Sequence, residues 1–234
     1  MRVVRQLAAL VPLSLLATGS ARAEPVVPAV APAADAKQEK KDAKDAEEPH
    51  ARGGLVIGVA GGLAMGTASG YPNDLQKIDD PAWYSAGGFL IGESAGGFVM
   101  GAFAKQLNFG VFVTQSAARS GSGVWRSRAY GGGFRVEVFP FGWLVPALRD
   151  LGVMGQFGVG SGDLKPTDAQ STWPGADGVQ SYIGVGLFHE LVFAHPGKTR
   201  WALGPSVEYQ LISSRPFERS TLIIGIRVAF YSGP

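Results

Sequence analysis

Apolar and polar residues alternate along most of the chain after residue 53, with the period of two that side chains follow on a β-strand. The pattern is clearest near the end of the chain, where one face of a strand would carry Leu222, Ile224, Ile226, Val228 and Phe230. The other face would carry Thr221, Gly225, Arg227 and Ala229, with Ile223 as the exception. An apolar face opposed by small residues and one arginine is typical of a strand between lipid and a polar lumen.

Seven further segments show the same alternation, so the sequence predicts about eight strands. They are Gly54–Gly66, about Ala86–Phe103, Leu107–Ser116, Trp125–Phe139, Leu151–Gly160, Gln180–Val192 and Trp201–Ile212. Dense glycine and turn-forming residues separate them, and no periodic helical segment of useful length follows residue 53. The predicted fold class is all-β.

The connections between these segments alternate in length. Thr67–Ala82 and Ser161–Val179 are long, whereas Ala104–Gln106 and Phe193–Arg200 are short. Short periplasmic turns and longer external loops characterise antiparallel up-and-down transmembrane barrels, so the domain 53–234 is predicted to be one. Pro140–Asp150 is long for a periplasmic turn and is expected to hold a short helical turn.

The start of the chain does not belong to this pattern. Residues 1–23 combine a basic start, an apolar run and Ala21-Arg22-Ala23, which predicts a cleaved secretory signal peptide. Residues 24–52 are rich in Ala, Pro, Lys and Glu and predict a disordered linker, which we interpret as a solvated spacer. Loss of three arginines with the signal peptide changes the net charge from +2 to about −1, so the alkaline pI indicates no nucleic-acid partner.

The chain contains no cysteine, which excludes disulfides, thiolate metal sites and a cysteine nucleophile. Export without a further run long enough for a membrane helix leaves a periplasmic, a secreted or a barrel-forming protein. Aromatic residues cluster at both predicted ends of the strands and favour two interfacial girdles. The clusters are Trp83, Tyr84, Trp125, Tyr130, Trp173 and Tyr182 outside, and Phe103, Phe139, Phe141, Trp143, Phe193, Trp201, Phe230 and Tyr231 inside.

Residues 53–234 resemble the small eight-stranded outer-membrane β-barrel proteins of Gram-negative bacteria, of the OmpA and OmpX type. The segments that carry this resemblance are Phe134–Glu137, Asp150–Val153, Gly204–Gln210 and Gly225–Tyr231. The resemblance implies an outer-membrane location, contact with outer-membrane lipid and lipopolysaccharide, a monomer, and insertion by the outer-membrane assembly machinery.

Four charges inside the predicted strands lie on the face opposite the apolar one: Arg135, Glu137, Glu208 and Arg227. Buried carboxylates and guanidiniums must pair, so we expect these four to form one lumenal network, with Glu208 as the partner of Arg227. Glu93 and Glu190 are further candidates. An eight-stranded barrel is only wide enough for side chains to fill it, which favours a closed lumen over an ion path.

A second set of charges falls at predicted external strand ends: Arg119, Arg126, Arg128, Lys165, Arg215 and Arg219. Arg126 and Arg128 share the parity of Tyr130 and Phe134 and should point toward lipid. A guanidinium at that depth can bind phosphate in a bidentate way, so contacts with lipopolysaccharide phosphates are possible, as is a simple solvated rim.

The leading functional hypothesis is a structural or surface-interaction protein, not an enzyme, with a closed barrel. The alternatives are a soluble barrel that binds an apolar ligand, a lipid-modifying enzyme and a small channel. Leu151–Ser161 and Ser181–Phe188 contain no charged residue, which favours lipid outside. Eight-stranded lipid A deacylases need a serine two residues after their histidine, and Leu191 follows His189 there. No motif indicates a cofactor, since Gly131-Gly132-Gly133 and Gly87-Gly88 precede no Lys-Ser/Thr helix.

Overall fold

The computed structural model describes residues 52–104, 106–142, 145–194 and 199–232. The predicted signal peptide, and the predicted linker up to residue 51, lie outside the described residues. Trp143 of the predicted inner aromatic cluster lies outside them as well.

The described chain is built from antiparallel strands. They are β1 (Gly54–Gly70), β2 (Ser85–Ala104), β3 (Leu107–Ser120), β4 (Trp125–Val138), β5 (Leu151–Pro166), β6 (Ala176–His189, continued as Leu191–Ala194), β7 (Thr199–Ser213) and β8 (Phe217–Ser232). The two parts of β6 are one strand because both pair with β7 in a single register. Phe188 lies opposite Ser206 before the interruption at Glu190, and Leu191 lies opposite Leu203 after it.

Each strand pairs with the next along the chain, and β8 pairs with β1 over the whole of both strands. The sheet is therefore a closed, eight-stranded, up-and-down barrel without an open edge, which confirms the predicted fold class. Two one-turn 3₁₀ helices, Pro81–Trp83 and Pro146–Leu148, lie in connections, and the second confirms the helical turn expected after Pro140. Among the described residues no helix is long and apolar enough to span a membrane.

Several strands run further at the outer end than the apolar pattern predicts. β5 continues to Pro166 and β6 begins at Ala176, so the connection between them shrinks from 161–179 to 167–175. The first external connection is likewise 71–84 instead of 67–82. The reason is that backbone hydrogen bonds between strands continue past the point where the outward side chains change from apolar to polar. Asp163 opposite Asp177 is an example.

The two faces of the barrel differ sharply in exposure. On the outside, apolar side chains such as Val113 at 67%, Val159 at 68% and Ile226 at 61% are widely exposed. On the inside, Arg227 at 1% and Ile223 at 7% are buried. Ile223 is therefore an apolar residue that faces the lumen. An apolar exterior around a polar, filled interior is the arrangement of a barrel whose solvent is lipid.

Glycines make room for the large side chains in the lumen. A Cβ atom at Gly58 would collide with the Phe98 ring, and one at Gly152 would collide with the Phe188 ring. Large and small residues thus interlock across a narrow barrel, which accounts for the density of glycine in the strands.

The aromatic girdles are only partly as predicted. Phe103 at 72%, Tyr130 at 53% and Trp201 at 51% exposed project outward. Four others instead fill the lumen at 5% exposure or less: Trp125, Phe139, Tyr182 and Tyr231. Their inward direction follows from strand parity, which end-of-strand position alone does not reveal.

Candidate functional site

The inner half of the lumen contains a fully buried group of ions centred on Glu137. Both terminal nitrogens of the Arg227 guanidinium donate to this carboxylate, Nη2 at 2.9 Å to Oε2 and Nη1 to Oε1. Arg135 Nε donates to Oε1 at 2.8 Å, and Asn108 Nδ2 donates to Oε2 at 3.3 Å. Glu137 is on β4 and Arg227 on β8, so this pair crosses the lumen.

The network continues toward the inner mouth through Glu190. Arg227 Nη2 lies 3.1 Å from Glu190 Oε1, and the Tyr231 hydroxyl donates to the same carboxylate at 2.7 Å. Arg52 Nε lies 3.3 Å from Glu190 Oε2, while Arg52 Nη2 lies 2.7 Å from Asp150 Oδ1. Arg52, the last residue of the predicted linker, therefore holds the chain against the inner mouth of the barrel.

Aromatic rings cover the guanidinium planes. The Arg227 guanidinium lies 4.1 Å from the Phe188 ring centroid and 4.6 Å from that of Phe98. Arg135 lies 4.5 Å from the Phe98 centroid, and Arg52 lies 3.6 Å from the Phe139 centroid. Such stacking shields the ions from water and strengthens their mutual attraction.

Glu208 lies in the lumen but does not pair with Arg227, so that expected partnership is wrong. Gln210 Nε2 donates to Glu208 at 2.7 Å, and the Tyr182 hydroxyl lies 3.3 Å from the same oxygen. The Gln156 amide, in its hydrogen-bonding orientation, accepts from Arg135 Nη1 at 2.7 Å and donates to Glu208 at 2.8 Å. Arg135, Glu137 and Arg227 are therefore in direct contact, and Gln156 links Arg135 to Glu208 by hydrogen bonds.

Strand register explains the change of partner. Arg227 lies opposite Gly204 on the neighbouring strand, and Glu208 lies four positions further along, opposite Ile223. The ion that meets Arg227 instead comes from β4, on the far side of the lumen. Asn108, Gln156 and Tyr231 also belong to the network and were not predicted there, although each has the parity of the inward residues on its strand.

The lumen is filled on both sides of this network. A cavity of about 30 Å³ lies beside Glu208, Arg135 and Gln156, enough for a few water molecules at most. Toward the outer end, an apolar cluster follows, formed by Ala68, Leu90, Ala118, Trp125, Leu164, Ala176 and Phe217. Toward the inner end, Phe139, Met154 and Phe188 pack together. Buried side chains therefore occupy the lumen on both sides of the network.

Arg219 belongs to the lumen, which corrects its expected place in the outer belt. It is 2% exposed and lies on β8 with the inward parity of Thr221 and Arg227. Among the described residues no partner hydrogen-bonds its Nη1. Its misassignment follows from the strand beginning at Phe217, four residues earlier than the predicted Thr221.

Three cations face outward in directly opposed positions near the outer ends of neighbouring strands. Arg119 on β3 lies opposite Arg126 on β4, and Arg126 lies opposite Lys165 on β5. We call Arg119, Arg126 and Lys165 the cationic row. The residues are exposed, and a groove of about 530 Å³ runs beside Arg119, Arg126 and Arg128.

Arg128 and Arg215 each have an acidic neighbour, and so does Lys165 at one end of the cationic row. Arg128 lies opposite Asp163, whose carboxylate accepts from the Arg128 backbone N–H at 3.0 Å. Arg215 lies in the external connection 214–216 and its Nη2 is 2.9 Å from Asp79 of the connection 71–84. Lys165 Nζ is 3.1 Å from Asp163, so this carboxylate neutralises part of one end of the row.

Glu93 and His189 lie outside the lumen. Glu93 projects outward opposite Ala117, beside the groove, and Glu190 is the candidate that turns inward. His189 lies at the inner end of β6 opposite Leu151, half-buried, with the outward parity of its strand. Within residues 52–104, 106–142, 145–194 and 199–232, no group of three or more His, Asp or Glu residues could hold a metal ion.

Together, the closed eight-stranded sheet, the apolar exterior and the filled polar lumen define the fold of a small transmembrane β-barrel. No protein-family model matches the chain, and no curated protein matches it.

Solved structures do match. The Yersinia pestis protein Ail is 14% identical, with 75% of this chain and 99% of Ail covered and a TM-score of 0.42. OprG from Pseudomonas aeruginosa is 11% identical, with 79% and 99% covered and a TM-score of 0.38. Neisserial surface protein A is 14% identical, with 74% and 96% covered and a TM-score of 0.37. These are likenesses of fold.

Proposed function

We propose that this protein is a surface-interaction barrel, in which the closed barrel is an anchor and the cationic row binds phosphate groups of outer-leaflet lipopolysaccharide. The filled lumen supports an anchor in preference to a channel. The apolar exterior argues against the alternative of a soluble barrel. The protein's own side chains occupy the lumen, which argues against an internal apolar ligand.

The observation that carries the lipid proposal is the direct opposition of three like charges. Residues directly opposite on neighbouring strands have Cβ atoms about 5 Å apart, and like charges there destabilise a sheet. Arg119, Arg126 and Lys165 occupy such positions, with Asp163 beside Lys165 and Glu93 beside the groove. A bound anion removes this repulsion, and a guanidinium binds phosphate in a bidentate way.

The location of the row selects the source of the phosphate. The row lies near the outer ends of the strands, where Arg119 is opposite the exposed Ile91, and further out on β3 than the exposed Val113. Charged residues at this depth reach the head groups while their stems rest on apolar surface. The phosphates on the glucosamine disaccharide of lipopolysaccharide are the anions concentrated at that level of the outer leaflet.

The test replaces Arg119 and Arg126 by Gln and measures lipopolysaccharide retained after detergent purification. We expect at least about tenfold less for the double variant, equivalent to about 1.4 kcal/mol. Arg215→Gln is the matched control, because Arg215 pairs with Asp79 in the loops, and it should retain the wild-type amount. Unchanged retention in the double variant would contradict the proposal.

Two additional measurements separate the parts of the proposal. Lipopolysaccharide that lacks the disaccharide phosphates should bind the wild type as weakly as intact lipopolysaccharide binds the double variant. Anionic phospholipid vesicles should not replace intact lipopolysaccharide as a ligand of the wild type. The purified wild type should give no ion conductance in planar bilayers, and steady conductance would contradict the closed lumen.

A further inference from the structure

The external connections 121–124 and 167–175 form a groove at the outer end of the barrel. The groove has a volume of about 640 Å³, within the range of small-molecule sites, and lies between two loops tied by a 2.8 Å hydrogen bond from Thr167 N–H to the Val124 carbonyl. Its lining is Ser122, Gly123, Val124, Pro166, Thr167, Asp168, Gln170, Ser171, Thr172 and Trp173.

Trp173 presents a large aromatic surface in this groove. Its side chain is 57% exposed, although burial of tryptophan is strongly favourable. Its loop follows the end of β5 at Pro166, so the exposed ring lies at the outer rim of the barrel.

The ring is held in place from beneath and from its own backbone. Trp125, which is 5% exposed, packs under it with ring centroids 5.4 Å apart. The Trp173 backbone N–H donates to Ser171 Oγ at 3.3 Å, and the Gln170 backbone N–H donates to the Asp168 carboxylate at 2.9 Å. A supported ring loses little conformational freedom when a ligand stacks on it.

The remaining lining chemistry is that of hydroxyls and an amide. Ser122, Thr167 and Thr172 offer hydroxyl groups that both donate and accept, and Gln170 offers an amide with both functions. Of the lining residues only Asp168 is ionisable, so nothing in the groove recruits an anion. A sugar ring fits this combination, because its C–H face stacks on an aromatic plane while its hydroxyls exchange hydrogen bonds with polar side chains.

We infer that this loop groove is a binding site for a neutral saccharide, with Trp173 as the stacking platform. The site is separate from the cationic row and differs from it in charge, so the two surfaces select different ligands. An uncharged glycan chain binds in the groove, and a sulfated or phosphorylated glycan is disfavoured by Asp168.

The test titrates the detergent-folded full chain with maltotriose, cellotriose and chitotriose and follows tryptophan fluorescence and calorimetric heat. We expect at least one of these neutral trisaccharides to bind. Trp173→Ala should weaken that binding at least about tenfold. Trp83→Ala, which removes another exposed tryptophan from the connection 71–84, is the matched control and should bind as the wild type does.

Unboiled gel mobility verifies that each variant is folded. Failure of all three trisaccharides to bind would overturn the inference, as would binding that survives Trp173→Ala or is equally lost in Trp83→Ala. A preference for a sulfated disaccharide over the neutral sugars would also overturn it. The Arg119 and Arg126 double variant should bind the sugar normally, so failure of one proposal leaves the other unaffected.

Discussion

Replacing Arg227 by Met should destabilise the barrel strongly, because it leaves buried carboxylates with too few cations. Arg227 is 1% exposed and contacts two carboxylates, those of Glu137 and Glu190. Without Arg227, Glu137 keeps Arg135 and Glu190 keeps Arg52, so each carboxylate loses one of the cations that contact it. Removing one partner of such a buried ion pair lowers the free energy of unfolding by about 3–5 kcal/mol.

The effect is measured by guanidinium unfolding of the detergent-folded protein, followed by gel mobility and tryptophan fluorescence. With a denaturant slope of about 3 kcal/mol per molar, the expected loss lowers the midpoint by about 1–1.7 M. Adding Glu137→Gln should recover part of the loss, because it removes the buried negative charge that Arg227 neutralised. We expect a favourable coupling energy of about 2 kcal/mol between the two positions.

The control cycle pairs Arg227→Met with Glu208→Gln. Glu208 bonds to Gln210, Tyr182 and Gln156 instead of Arg227, so its coupling with Arg227 should be close to zero. Stability of Arg227→Met equal to that of the wild type would refute the buried network. Stronger coupling to Glu208 than to Glu137 would refute the pairing described here.

Three further substitutions test the packing, the exterior and the inner mouth. Gly204→Ala should lower the unfolding midpoint, because its Cβ would collide with the His189 carbonyl, whereas Gly121→Ala has open space and should be neutral. Ile226→Arg, on the lipid face, should cost about 2–4 kcal/mol in vesicle refolding, and Val124→Arg in a loop should cost little. Tyr231→Phe should cost about 1–2 kcal/mol by unfolding, since it removes a donor to buried Glu190, and an unchanged midpoint would contradict that role.

The alternation of side chains predicted the barrel well, because an apolar exterior and a polar interior both follow strand parity. The same parity already groups Arg219 with Arg227, and Arg219 was misplaced only because the strand was expected to begin at Thr221. Strand ends are poorly predictable, since backbone hydrogen bonds continue after outward side chains become polar. Asp163 and Asp177 show this at the outer end of β5 and β6.

The partner of Arg227 could not be predicted from the sequence for a different reason. Neighbouring strands suggested Glu208, but contacts across a lumen depend on the register of all eight strands around the closed barrel. Glu137 and Arg227 meet because closure places β4 and β8 on opposite walls at the same depth. The cationic row depends on register in the same way, since no single strand shows that Arg119, Arg126 and Lys165 are opposed.

Membrane fractionation after a high-salt wash tests the central claim most directly. A barrel with an exterior of exposed Val113, Val159 and Ile226 should stay in the outer-membrane pellet and be released only by detergent. The released protein should migrate faster on a denaturing gel before boiling than after it. Release into the soluble fraction by salt alone would contradict a barrel embedded in lipid.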